Sequence, residues 1–114
     1  MFSLNIHQHY YLYRYPTDMR KSFNGLSGLV RNELEVNPMS GGVFIFINRR
    51  RDRIKLLVWE RGGFVLYYKL LEAGCFELPV FENNGKQKDL TWLELVLILE
   101  GFSLKSVSRR KRYN

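Results

Sequence analysis

Apolar side chains recur with a period of two in three consecutive runs: Val43 to Ile47, Ile54 to Trp59, and Phe64 to Lys69. Short polar or glycine-bearing connections separate them, a pattern that predicts an antiparallel meander. On the first run Val43, Ile45 and Ile47 share one face, and Phe44 and Phe46 the other. On the second, Ile54, Leu56 and Val58 oppose Lys55, Leu57 and Trp59. On the third, Phe64, Leu66, Tyr68 and Leu70 oppose Val65, Tyr67 and Lys69. Both faces are apolar, so each needs a helix or a partner, or one carries exposed aromatics.

Upstream, Tyr10 to Tyr15 has strand propensity and stops at Pro16, which predicts a strand at a sheet edge. The pattern then switches to a helical period. Met19, Phe23, Leu26, Val30 and Leu34 line one face of a helix opening at Thr17-Asp18, with Asp18 as its cap. Gly25 and Gly28 lie three apart on it and suit either a close backbone approach or a kink. Pro38 ends the helix by Asn37. Downstream, Cys75 to Leu78 predicts a short strand, and Phe81 to Asp89 a polar loop around Asn84-Gly85. Thr91 and Glu94 have capping-box spacing. The helix they open is apolar nearly all round, which predicts deep packing, and Gly101 lies just past its end. The expected fold is α+β: an antiparallel meander of four to five strands packed with two α-helices. The expected organisation is a weakly ordered leader at 1–9, a single domain at 10–102 and a basic tail at 103–114.

Charge sharpens this picture. In 114 residues the formal net charge is +7, which favours polyanionic partners without specifying a fold. Arg49, Arg50, Arg51, Arg53 and Lys55, with Lys105, Arg109, Arg110, Lys111 and Arg112, hold ten of the 18 Lys and Arg residues. The tail reads equally well as a solubilising arm. Four guanidinium groups on one hairpin repel each other, and their forks suit phosphate oxygens. The reading is a long, projecting connection that meets an anionic partner, nucleic acid or an anionic membrane surface, with Asp52 ordering the guanidiniums by ion pairing.

Catalytic signals are weak. Cys75 is the sole cysteine. It permits no internal disulfide or Cys-rich zinc site, reads as core, and fits a reducing cytoplasm. His7 and His9 lack a third ligand. The eleven carboxylates form no metal-ligand pattern, and no cofactor fingerprint is present. No signal peptide and no membrane span are expected. Arg61-Gly62-Gly63-Phe64-Val65-Leu66-Tyr67 approaches an RNA-binding RNP1 element, but the aromatic between its glycines is missing and a tight turn explains it as well.

Several ordered motifs together resemble one family. They are Thr17 to Leu26, Pro38-Met39-Ser40-Gly41 before a Phe-x-Phe strand, Asn48 to Lys55, Trp59, Gly63-Phe64, Tyr68 to Phe76, and Leu99-Glu100-Gly101. The chain is similar, over 10–102, to the Orf2-like accessory protein (TnpB) of the sixty-six family of bacterial insertion sequences. Asn24 stands where that family more usually has Asp. The resemblance implies a small non-catalytic protein encoded beside a DDE-type transposase and needed for efficient transposition. The transposase would be its partner and would supply the catalytic carboxylates. No catalytic residues carry over, so the site rests on charge. The first expectation is binding of DNA, or of a DNA–transposase complex, through the arginine hairpin, with Arg20 and Lys21 nearby. The second is an adaptor that docks on the transposase through Trp59, Phe64 and Tyr67 without touching DNA. A metal-dependent nuclease is the weakest reading.

Overall fold

Burial of both faces of the Val43-to-Ile47 run decides the architecture. The computed structural model describes residues 4–101. Its strands are β1 (Tyr10–Tyr13), β2 (Val43–Ile47), β3 (Arg53–Glu60), β4 (Gly63–Leu70) and β5 (Gln87–Leu90). They form one sheet in the order β4-β3-β2-β1-β5. Two α-helices, α1 (Phe23–Leu29) and α2 (Trp92–Glu100), complete the α+β fold. All five residues of β2 are buried. Val43, Ile45 and Ile47 join Ile54, Leu56, Val58 and the α2 residues Leu95 and Ile98 in one core. Phe44, Phe46 and Leu57 join Leu26, Val30 and Leu34 in the other. The predicted alternation therefore holds, and a helix covers each face. Each fully buried Phe, Ile or Leu contributes about 1.5–3 kcal/mol, so β2 anchors both cores.

The meander is real for β2-β3-β4, whose pairs are antiparallel. The sheet as a whole is mixed, because β1 pairs parallel with β2. A parallel neighbour needs a crossover rather than a hairpin, and the segment between β1 and β2 that contains α1 supplies it. β1 is also not at the edge, since β5 pairs antiparallel along its outer side. β5 begins inside the predicted polar loop and ends one residue past it; as an edge strand it needs few apolar positions. The strand predicted at Cys75 to Leu78 is irregular chain, although Phe76 is fully buried.

The first helix is shorter than its periodicity predicts. Asp18 does not cap it. The Asp18 Oδ1 accepts the Arg20 backbone N–H at 2.9 Å, and the Lys21 N–H donates to the Asp18 carbonyl at 3.1 Å. That turn delays the helix until Phe23, after Ser22, which makes no side-chain cap bond. A π-helical turn, Val30–Leu34, follows and ends at Glu35 with φ 55°. Phe23 is exposed, whereas Leu26, Val30 and Leu34 are buried. A Cβ on Gly28 would meet nothing within 4 Å, so no foreign backbone approaches there.

α2 follows its sequence signals at both ends. The Thr91 Oγ1 accepts the Glu94 N–H at 3.1 Å, and the Glu94 Oε1 accepts the Thr91 N–H at 2.9 Å. Gly101 ends it at φ 79°. It is less deeply packed than its composition predicts, with Leu95 and Ile98 buried but Leu93 exposed. Near the N-terminus, Leu4 packs on the α2-side core and the Tyr10 hydroxyl donates to the Asn5 carbonyl at 2.6 Å. The basic tail lies outside the described residues. Among the described residues no helix is long and apolar enough to cross a membrane.

Candidate nucleic-acid interface

The arginine-bearing connection between β2 and β3 is shaped by Asn48. The Arg51 N–H donates to the Asn48 carbonyl at 3.0 Å, and Arg51 takes a left-handed conformation, φ 59°. The Asn48 Oδ1 accepts the backbone N–H groups of Asp52 and Arg53 at 3.1 and 3.0 Å, while its Nδ2 donates to the Asp52 Oδ1 at 2.7 Å. A short amide side chain that bonds its own turn is a favoured way to close such a reversal. Asp52 therefore bonds the Asn48 amide, and among the described residues it forms no ion pair with an arginine. That corrects the expected role.

The turn does not stand clear of the protein. The Leu71 N–H donates to the Asp52 carbonyl at 2.8 Å, and the Phe76 N–H to the Arg51 carbonyl at 2.6 Å. Across the strand end, the Thr17 N–H donates to the Ile47 carbonyl at 2.9 Å. Segments 71–76 and 15–19 thus brace it at the carboxyl ends of the parallel strands β1 and β2. The expected long loop is a short turn braced by its neighbours. Arg49, Arg50 and Arg51 are exposed, and among the described residues none of them pairs with a carboxylate. Arg53 is exposed and donates to the Tyr68 hydroxyl at 3.0 Å.

The other expected cations are placed differently. Arg20 clasps Asp18 through its Nε, at 3.1 and 3.0 Å, and its terminal nitrogen, at 2.7 Å. The Arg20 side chain and backbone bonds hold the Asp18 carboxyl down at about 2. Lys21 is exposed. Lys55 is 5% exposed: its ammonium donates to the Met19 and Lys21 carbonyls, both at 2.8 Å, and lies 4.6 Å from the Tyr68 ring centroid. Two carbonyls and an aromatic face satisfy its three N–H groups. Lys55 therefore staples the turn before α1 to the sheet and offers no donor to a ligand.

Two hollows flank the arginine turn. The larger, about 600 Å³, has Thr17, Asp18 and Met19 on one wall and Arg49, Arg50 and Arg53 on the other. The smaller, about 260 Å³, includes Tyr15, Arg49 and Arg51 in its lining. Tyr15 is 46% exposed. Its place in the strand-like run 10–15 conceals it as a surface residue; Pro16 directly after it is the available signal.

Trp59 and Phe64 meet edge to face, with centroids 4.9 Å apart. Phe64 packs on the α1-side core, but Tyr67 packs on the α2-side core. The expected aromatic trio is thus divided between faces, as the period of two requires for positions an odd number apart. An RNP1-type stacking pair is excluded for the same reason. Arg61-Gly62 is a two-residue hairpin loop closed by the Glu60–Gly63 pair, with φ 53° and 82°. His7 and His9 are exposed, and among the described residues no three His, Cys, Asp or Glu side chains could hold a metal ion.

Comparison with known proteins supplies a family. The family described as IS66 Orf2 like protein matches residues 8–109. A curated Sinorhizobium fredii protein, uncharacterized protein y4jC, is 32% identical over 95 residues, covering 83% of this chain and 80% of its own length. A second from the same organism, uncharacterized protein y4hO, is 37% identical over 70 residues, covering 60% of each chain. No solved structure matches.

Proposed function

The chain belongs to the IS66 Orf2-like family, whose role is accessory to transposition, and from that premise we propose that it acts by binding DNA at the arginine turn. One observation carries this reading. Arg49, Arg50 and Arg51 are exposed, without a carboxylate partner among the described residues, on a turn whose backbone is held by side-chain and neighbouring-segment hydrogen bonds. Guanidiniums so presented meet phosphates without first giving up an internal ion pair. Arg53 adds charge at the rim. Arg20 contributes less, because Asp18 already answers its charge. Lys21 lies beside it, and Lys55 supports the surface from beneath. Phosphate contacts of this kind give affinity and register rather than sequence choice. The family is non-catalytic in general, so the strand chemistry falls to the cognate transposase.

The test is the salt dependence of duplex binding. Replacing Arg49, Arg50 and Arg51 by Ala is expected to weaken binding and flatten the log–log salt slope by about 0.9 for each phosphate that is no longer neutralised. Unchanged affinity and slope in the folded variant would overturn the reading.

A second reading, docking on the transposase, has its own observation. Tyr68 and Leu70 are 47% and 52% exposed on the β4 face that also carries the half-buried Phe64. Buried aromatic anchors dominate many interfaces. Capture of purified transposase without DNA, abolished by Leu70→Asp, is the outcome this reading requires.

A further inference from the structure

We propose that the smaller hollow beside the arginine turn seats an unstacked base of single-stranded DNA, with Tyr15 as its stacking platform and Arg49 and Arg51 on the flanking phosphates. The proposal rests on the DNA-binding reading above and names the form of DNA that the site takes.

The shape of the surface argues for it first. A duplex is read in its major groove by an inserted helix or a two-stranded ribbon. The arginine turn cannot advance as a ribbon, because the Arg51 and Asp52 carbonyls are tied to Phe76 and Leu71, and Ile47 to Thr17. What this end of the sheet offers is a braced turn flanked by two hollows, which suits a flexible strand with splayed bases.

The two hollows then separate by chemistry. Asp18 and Asp52 line the larger one alongside Arg49, Arg50 and Arg53, so its charge is mixed. Among the described residues the smaller is lined by Arg14, Tyr15, Pro16, Arg49, Arg51 and Leu78, with neutral side chains completing it and no carboxylate. Its volume of about 260 Å³ lies just below the usual small-molecule range of about 300–1,000 Å³, room for one base rather than a longer ligand. Arg14 is already committed. Its guanidinium donates to the Asn83 carbonyl at 2.6 Å and lies 5.1 Å from the Phe81 centroid, so it forms a wall. Arg49 and Arg51 remain for the ligand.

Tyr15 is both exposed and held. Its ring meets that of the buried Tyr13 edge on, with centroids 5.7 Å apart at 73°. The following residue, Pro16, restricts the local backbone, and the Thr17 hydroxyl donates to the Tyr15 carbonyl at 3.4 Å. An exposed aromatic ring already fixed in place loses little freedom when a base stacks on it. Aromatic stacking combined with a basic groove is the general chemistry of single-strand binding.

The experiment compares oligothymidylate with a duplex of equal length at one salt concentration, for the wild type, Tyr15→Ala and Tyr15→Phe. The wild type is expected to prefer the single strand. Tyr15→Ala should lose roughly 5- to 150-fold on oligothymidylate and leave duplex affinity unchanged, while Tyr15→Phe keeps wild-type behaviour. If Tyr15→Ala does not fold, Tyr15→Leu retains packing on Tyr13 and removes the stacking face, and it should show the same selective loss. Equal binding of oligothymidylate by the wild type and the folded Ala or Leu variant, with duplex binding intact, overturns the base site and leaves the DNA reading standing. Failure of the wild type to bind either form overturns both.

Discussion

Strand β3 is entered and left through two turns that solve the same geometric problem in different ways. The turn after it, Arg61-Gly62, is as short as a hairpin allows, with two positive-φ residues whose twist matches the strands. The turn before it, 48–52, is longer. It places Arg51 in a left-handed conformation, uses three Asn48 side-chain bonds, and is tied to 71–76. Reversing the chain requires Asn48 and the conformation at Arg51. It does not require arginine at 49, 50 and 51. One turn is closed by two positive-φ residues; the other carries three arginines that its geometry does not require, and the DNA-binding proposal rests on that charge.

The largest expected effect that tests this contrast is on stability. Asn48→Ala removes three hydrogen bonds at the first turn and should cost about 2–3 kcal/mol, whereas Arg61→Ala, which breaks no such bond, should cost well under half of that. Denaturant unfolding of the two variants makes the comparison, and equal losses would dissolve it. Next come the left-handed residues. Arg51→Gly and Arg61→Gly should each stabilise by roughly 1 kcal/mol, because glycine adopts positive φ without a Cβ penalty. Only Arg51→Gly should also weaken DNA binding. The triple Arg49, Arg50 and Arg51 to Ala variant, despite its effect on DNA, should change stability by no more than about 0.5 kcal/mol per site. A large destabilisation would mean that the arginines serve the fold after all.

The smallest effect concerns acid. Arg20 lowers the Asp18 carboxyl from its ordinary 3.8 to about 2. A depressed carboxylate contributes stability that is full above the unfolded value and is lost as pH falls through the folded one. The clasp's contribution is therefore present at neutral pH and disappears between about pH 4 and 2. Asp18→Asn should make thermal stability less sensitive to pH across that window. Both groups are exposed, so the difference will be small, and parallel curves would assign the clasp no role.

Much of the sheet was legible because a strand's two faces follow from parity. The assignments of Val43, Ile45 and Ile47 against Phe44 and Phe46 needed no tertiary information. The same parity separates Phe64 from Tyr67, which pack against different cores. β5 was hidden because Gln87-Lys88-Asp89 carries no apolar signal, and β1 draws it into the sheet through backbone pairing. The start of α1 was hidden because Asp18 is equally suited to capping a helix and to closing a turn. Arg20 and Lys55 decide the matter, one by clasping the carboxylate and the other by taking the Met19 and Lys21 carbonyls.

The candidate site divides along the same line. The chain's own pattern marked β1 to β4, the capped α2 and the concentration of arginine at one turn, since each depends on residues a few positions apart. Which cations are available to a ligand was decided by folding. Lys55 is withdrawn by carbonyls more than thirty positions away, while Tyr15 and Arg49 become neighbours across one hollow. A local pattern records periodicity and charge, but hydrogen-bond partners within 3 Å are chosen only when distant segments pack.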